Sequence, residues 1–326
     1  MFVMVQIPCL NEAGTIGSVI REVPREIPGV DRVEVLVVDD GSADQSVAEA
    51  RAAGADHVVR FVRNRGLARA FDAGMDASLR LGADVIVNMD ADGQYRGDDI
   101  PKLIAPILAG RAEVVVGDRG LSGDADYPPL KKSLQRLGTA TVRALSGADI
   151  RDAASGFRAW SREAGQRLHL VSDFTYTLES LIQAGKDRLQ VVSVPVAARP
   201  TARPSRLFAS IPEYLMKSAA TLLRIYAMYE PLKVFSLLGG AVFSAGFMIG
   251  LWFLFYFFSE GGKGHVQLLI LAAVLLIIGF QVLVMALVAD LIGMNRKLIG
   301  DLLYRVKRME THASSPPPET SPRDQA

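Results

Sequence analysis

Two windows near the C-terminal end of the chain, 234 to 259 and 266 to 289, contain no Asp, Glu, Lys, Arg or His. About 20 apolar residues suffice for a helix to cross a bilayer, so the windows predict a pair of transmembrane helices joined by the short loop SEGGKGH. They also account for a mean hydropathy of +0.23, high for a water-soluble chain. The expectation is a hairpin that anchors a catalytic domain built from the residues before it. Lys217, Arg224 and Lys233 precede the first window, Arg296, Lys297, Arg305, Lys307 and Arg308 follow the second, and the loop between holds only Lys263. Basic residues mark the cytoplasmic side, so the expectation is a multi-pass protein of the cell membrane with both termini cytoplasmic.

The 36 basic and 35 acidic residues leave a net charge of +1, which gives no global field for nucleic acid. Cys9 is the only cysteine, which excludes an intramolecular disulfide and a cysteine-cluster metal site. The apolar start MFVMVQIP lacks a basic leader and reads as a buried first strand rather than a signal peptide.

From residue 1 to about 200, short β-branched runs (FVMVQI, VEVLVV, HVVRFV, DVIVNM, EVVVG, LQVVSVPV) alternate with helix candidates near 12–22, 43–53, 66–80, 98–109, 131–146 and 175–185. That alternation predicts an α/β fold on a mostly parallel sheet. Ligands in such sheets gather at the carboxyl ends of the strands, where Asn11, Asp39, Asp40, Asp90 and Asp92 fall. The predicted segments are a catalytic domain over 1–204, amphipathic interfacial helices over 205–232, two transmembrane helices within 233–290, a juxtamembrane amphipathic helix over 291–310 and a disordered tail over 311–326.

In VIVNMDADGQY, Asp90 and Asp92 leave a buried strand one residue apart. Two such carboxylates are costly unless a cation sits between them, and Mg²⁺ is commonly held by one or two carboxylates plus substrate phosphates. Gln94 can add a neutral oxygen. D-x-D alone is weak, since DAD recurs at 124–126 inside DRGLSGDADYPP, a stretch whose Gly and Pro content reads as an exposed loop.

The order and spacing of IPCLNE (7–12), VVDDGSAD (37–44), NRGLARAFDAG (64–74), DADGQ (90–94), GDR (117–119) and DAASGFRAW (152–160) resemble glycosyltransferase family 2, over roughly residues 1–230. The resemblance is greatest to the dolichol-phosphate mannose synthases and the bacterial polyprenyl-phosphate sugar transferases. It implies the GT-A nucleotide-sugar fold. It further implies that Pro8, Leu10, Glu12, Asp39 and Asp40, with Asp90, Ala91, Asp92 and Gln94, bind the nucleotide sugar, and that Asp90, Asp92 and Gln94 hold Mg²⁺ or Mn²⁺. Arg119 would meet the acceptor phosphate, Ser155 and Arg158 of SGFR would shape the acceptor side, and Glu179 would supply a carboxylate from the following helix. Lys131 stands where the family often has arginine, Gln135 where it often has serine, and the segment RPTARPSRL offers Arg199, Arg203 and Arg206.

The activity implied is a hexosyltransferase that moves a sugar from a nucleotide diphosphate, of the GDP-mannose or UDP-glucose type, to a polyprenyl phosphate. A phosphate monoester with a second pKa near 6 is already anionic at pH 7, so no strong general base is needed. His57, His169, His265 and His312 all lie outside the motifs, as this allows. A single displacement would invert the anomeric centre. The stretch from Asp118 to Pro129 is expected to act as a lid, and a homo-oligomer is compatible with the sequence. Two rival readings are a processive polysaccharide synthase, disfavoured by the lack of a QxxRW motif, and a non-catalytic nucleotide-sugar-binding scaffold, disfavoured by the intact Asp90, Asp92 and Gln94. A dinucleotide oxidoreductase would need a G-x-G-x-x-G after the first strand, and none is there.

Overall fold

The computed structural model describes residues 1–120, 129–170, 176–199, 224, 227–260 and 265–313, with backbone alone for 129–137, 260, 312 and 313. Among the described residues seven strands form one sheet: β1 (Phe2–Cys9), β2 (Arg32–Asp39), β3 (His57–Arg60), β4 (Val85–Asn88), β5 (Val114–Asp118), β6 (Arg158–Ser161) and β7 (Val191–Pro195), in the order β3-β2-β1-β4-β6-β5-β7. β1 pairs in parallel with β2 and β4, β2 with β3, and β5 with β7. Of these seven only β6 runs the other way, antiparallel to both β4 and β5. Every residue of β1 is buried, which is why it reads as a continuous apolar run and not an alternation.

The described helices of this unit are α1 (Ile16–Arg21), α2 (Ser46–Ala52), α3 (Leu67–Arg80), α4 (Ile100–Leu108), α5 (Pro129–Ser146), α6 (Arg162–Arg167) and α7 (Tyr176–Lys186). β6 and α6 were not expected from the sequence. RAWS has only four residues and none is β-branched, so its strand character comes from the two neighbours it pairs with. α6 is a six-residue helix capped by the Ser161 hydroxyl, which accepts from the Ala164 N–H.

Close backbone approaches fix the loops that feed the sheet. A methyl group on Gly97 would overlap the carbonyl oxygen of Glu22 and lie 3.0 Å from the Val23 nitrogen. Gly97→Ala is expected to destabilise the fold around the sheet by about 1–3 kcal/mol, the usual range for overpacking. A thermal midpoint within one degree of wild type would show that the two loops are not locked together.

Two helices, α8 (Pro231–Glu260) and α9 (Val266–Ala313), are long and apolar enough to cross a membrane. The chain divides into a unit of Met1–Leu215 with Asp301–Ala326 and a unit of Met216–Gly300. Within the second unit α8 and α9 run antiparallel and touch through glycines. A Cβ on Gly239 would stand 3.0 Å from the Leu283 nitrogen, and one on Gly246 2.8 Å from the Leu275 Cβ. Small residues that allow such approach are what holds helices together where lipid is as apolar as leucine.

α9 does not stop at the end of its uncharged window. It is 48 residues long in all, because the amphipathic stretch after Ala289 contains Gly293 and Gly300 but no proline to end it. The expected separate juxtamembrane helix is therefore the far end of one helix. Its last turns belong to the first unit. Lys307 donates to the Leu168 carbonyl at 3.1 Å, Gln166 Nε2 donates to the Thr311 hydroxyl at 2.8 Å, and the Arg167 guanidinium lies 4.8 Å from the Tyr304 ring centre. Thr311, the first residue of the segment expected to be a disordered tail, is helical and buried. The interfacial segment 205–232, apart from 224 and 227–232, and the tail from 314 fall outside the described residues.

Candidate active site

Because β1, β2, β4 and β5 point the same way, their carboxyl ends share one edge of the sheet. β6 runs oppositely, so its beginning lies at that same edge, with Arg158 in register with Asn88 of β4 and Val116 of β5. The topology thus brings together Pro8 and Leu10, Asp39 and Asp40, the turn from Asp90 to Gln94, Arg119, and the loop from Asp152 to Phe157.

The β1 and β2 ends are stitched to each other. Asn11, in a left-handed conformation at φ 52°, donates its N–H to the Ser42 hydroxyl at 2.9 Å, and its side-chain oxygen accepts from Ala43 at 2.9 Å. The Glu12 N–H donates to Ser46 at 2.8 Å. Asp39 is fully buried, accepts from the Ser42 N–H at 3.1 Å and pairs with Arg60 at 3.0 Å. Asp40 behaves differently: its two oxygens accept from the N–H groups of Arg65 at 2.7 Å and Gly66 at 2.9 Å, just ahead of α3. Its carboxylate is engaged in holding the NRG loop, so its role toward a nucleotide would pass through that loop. Cys9, buried at the end of β1, has its thiol pushed up to about 11 by burial, which keeps it unreactive.

At the end of β4, Asp90 and Asp92 flank the buried Ala91, and Asp92 accepts from the Gln94 N–H at 3.0 Å. Burial first, and then the charge of Asp92, push the Asp90 carboxyl up to about 7, with Arg119 and Arg158 pulling the other way. Like-charge strain of this kind is what a divalent cation relieves. Among the described residues no group of three or more His, Cys, Asp or Glu could hold a metal ion. The two carboxylates fit a metal that takes its remaining oxygens from a substrate diphosphate and water.

A carboxyl raised to about 7 keeps its proton in the folded chain where the unfolded chain, near 3.8, has lost it. The stability tied to that proton is fully present below about pH 4 and lost as pH rises through 7. Cation binding needs the deprotonated form, so Mn²⁺ should raise the melting temperature more at about pH 8 than at about pH 5.5. Equal increments at both would contradict a carboxylate site poised near neutrality.

Arg119, just past β5, donates from Nε to Asp152 Oδ2 at 2.7 Å and from an Nη to Oδ1 at 3.0 Å. Both side chains are nearly enclosed, at 9% and 1% exposed. Asp152 opens the SGF loop. That loop is held from below: the Gly156 N–H donates to the Tyr95 hydroxyl at 3.1 Å, its carbonyl accepts from Asn88 Nδ2 at 2.8 Å, and Asn88 Oδ1 accepts from Gln6 at 3.0 Å. The loop in turn meets the Asp90–Gln94 turn, since a Cβ on Gly156 would stand 2.9 Å from one oxygen of Asp90 and overlap the other. Ser155 is buried beside the Tyr95 hydroxyl.

Arg158 is fully buried. It donates to the carbonyls of Ser155 (2.8 Å), Thr177 (2.6 Å) and Ala153 (2.8 Å) and to the Ser180 hydroxyl (2.9 Å), and burial lowers its pKa to about 10. The structure makes it a strut tying the SGF loop to α7, and does not present it to an acceptor. Glu179 is buried on the same helix. Arg199 reaches the Asp90–Gln94 turn with its backbone, donating to the Gln94 carbonyl at 2.8 Å, while its guanidinium pairs with Glu22 at 2.7 Å. Arg203, Arg206, the Lys131 and Gln135 side chains, the second DAD and most of the expected lid lie outside the described residues.

The sequence reading missed Asp152, Asn88, Tyr95 and Tyr176, whose ring stacks on Phe71 at 4.4 Å between centres. Asp152, Asn88 and Tyr95 stand inside quoted motifs, so their signal was position beside an assigned residue.

The site can be set beside known proteins. The chain is 31% identical over 204 residues to the polyprenol monophosphomannose synthase of Mycolicibacterium smegmatis, covering 59% of this chain and 76% of that protein. It is 28% identical to the undecaprenyl-phosphate mannosyltransferase of Micrococcus luteus, covering 60% and 83%. Among solved structures it resembles the glucosyl-3-phosphoglycerate synthase of Mycobacterium tuberculosis in complex with Mn²⁺, uridine diphosphate and glucosyl-3-phosphoglycerate, with a TM-score of 0.53, 25% identity, and 69% and 78% of the two chains covered. The family described as glycosyl transferase family 2 matches residues 4–168, and this chain belongs to it.

Proposed function

We propose that this glycosyltransferase moves a hexose, with inversion, from a nucleotide diphosphate sugar to a polyprenyl phosphate at the cytoplasmic face of a membrane. The observation that carries the reading is the pairing, at one sheet edge, of two adjacent carboxylates with an oriented arginine, in a chain that also holds two helices able to cross a bilayer. The relatives named for polyprenol and undecaprenyl phosphate support the acceptor class. A neighbour solved with Mn²⁺ and uridine diphosphate supports the donor chemistry and a divalent cofactor, Mg²⁺ or Mn²⁺.

In this reading Asp90 and Asp92, with Gln94 beside them, hold the cation, which when bound neutralises charge on the departing diphosphate. Pro8, Leu10, Glu12 and Asp39 line the nucleotide side, and Asp40 shapes it through the NRG loop. Arg119 faces the acceptor phosphate, joined by Lys131 and by Arg199, Arg203 and Arg206. The phosphate arrives as an anion, so the protein's task is to hold two anionic partners in line and exclude water. Buried Glu179 and Ser155 support the acceptor wall. The basic residues flanking the two apolar helices support a cytoplasmic side for both ends of the pair.

A second reading, transfer to a small soluble phosphorylated acid, is favoured by the same solved neighbour. The test is to incubate the purified protein with Mn²⁺, a short polyprenyl phosphate and a panel of GDP- and UDP-sugars, and to identify the lipid product and its anomeric form by mass spectrometry and NMR. One inverted lipid-phosphate sugar from one donor supports the proposal. No lipid product from any donor refutes it.

A further inference from the structure

The geometry assigns Asp152 the role of positioning residue for the acceptor end of the site: it fixes the Arg119 guanidinium and the SGF loop together, so that neither can be aimed without the other. This rests on the acceptor role proposed for Arg119. One carboxylate does both jobs. Each of its oxygens accepts from Arg119, at 2.7 and 3.0 Å, and Oδ1 also accepts from the Ala154 N–H at 3.2 Å. A side-on pair with Nε and one Nη defines the plane of a guanidinium, which a single contact would not. Asp152 is 1% exposed and so cannot itself meet a lipid head group from solution.

The second half of the argument is where the loop goes next. Four residues on, Gly156 abuts the Asp90 carboxylate and hangs from Tyr95 and Asn88. Asp152 therefore sits at one end of a short rigid path whose other end is the carboxylate pair. Moving Asp152 would shift Arg119 relative to Asp90, which on the proposed roles would change the spacing of acceptor phosphate and donor diphosphate.

Asp152→Asn is nearly isosteric and keeps an oxygen for the Ala154 N–H, yet offers an amide where Arg119 needs an acceptor. It is expected to raise the acceptor KM or lower kcat by about tenfold to a hundredfold, the scale of a hydrogen bond to a charged group, with nucleotide affinity in Mn²⁺ unchanged. Asp152→Glu, which restores the charge, should recover part of the loss. Phenylglyoxal labelling read by peptide mass spectrometry should show Arg119 reacting severalfold faster in Asp152→Asn. Unchanged kinetics and labelling, or donor and acceptor affinities falling together, would overturn the assignment. If Asp152→Asn does not fold, Asp152→Glu carries the test: a raised acceptor KM at constant donor affinity supports the role, and no change or a parallel loss rejects it. Wild-type protein that modifies no lipid phosphate would refute the proposed function, and the Arg119 labelling rate would then decide the role of Asp152 by itself.

Discussion

Asp92→Asn is expected to lower the rate of sugar transfer by at least about 10²-fold, the scale of losing one preorganised electrostatic contact, while the protein keeps its fold. The exchange removes one negative charge and almost no volume from a turn that Asp92 also braces through the Gln94 N–H. Relief of the like-charge strain should at the same time let the Asp90 carboxyl fall from about 7, since Asp92 is the second cause of its elevation after burial. The variant should therefore be no less stable than wild type without metal, yet gain little from added Mn²⁺. The same exchange at Asp126, whose DAD tripeptide follows no β-branched run, is expected to leave the rate unchanged. Equal losses at the two positions would detach the chemistry from the first DAD.

Gly156→Ala should be nearly as damaging although it removes no functional group. The added methyl would overlap the Asp90 carboxylate, and the glycine cannot retreat while its N–H is bound by Tyr95 and its carbonyl by Asn88. Overpacking of about 1–3 kcal/mol at that contact would fall on the position of Asp90, lowering activity by about tenfold to a hundredfold. Gly138→Ala is the matched comparison. Among the described residues a Cβ there meets nothing within 4 Å on helix α5, and alanine is favoured over glycine in a helix by about 0.5–1 kcal/mol. Kinetic assays and thermal melts should show a slow but folded Gly156 variant and an active, slightly more stable Gly138 variant. Normal rates for Gly156→Ala would mean that the SGF loop does not set the position of Asp90.

These two sites also mark how far the sequence could be read. The carboxylates were legible because each follows a β-branched run, and the end of a buried parallel strand is a place where polar groups are expected. The two long apolar helices were legible because a run of more than twenty residues without a single charge is long enough to cross a bilayer. β6 was not legible: its residues Arg158, Ala159, Trp160 and Ser161 carry no strand signature, and its pairing with β4 and β5 is decided by partners more than 40 residues distant in sequence. That one missed strand changes the reading of Arg158. On a loop it would be a natural phosphate ligand, but at the start of an inner strand it is enclosed by four oxygen acceptors. Asp40 shows the same limit, since the amides that claim it belong to residues 65 and 66. Local pattern names the residues that leave a strand, and tertiary hydrogen bonds decide which remain available to a substrate.

The continuity of α9 is a third case. Asp290 ends the charge-free run, which is a statement about side chains and not about backbone. Helix propensity persists through Arg296, Lys297, Leu298, Leu302 and Leu303, so the backbone runs on until its last turns meet α6.

The identity of the acceptor is the central claim, and one assay separates it from the rival chemistry of the solved neighbour. Purified protein with Mn²⁺ and a donor labelled in the sugar would be offered polyprenyl phosphate and 3-phosphoglycerate together, and the label would be followed into the organic and aqueous phases. The account predicts label in the organic phase, released by mild acid as free sugar and abolished by Asp92→Asn. Label that stays in water as a glycosylated phosphoglycerate, with none on the lipid, would contradict it.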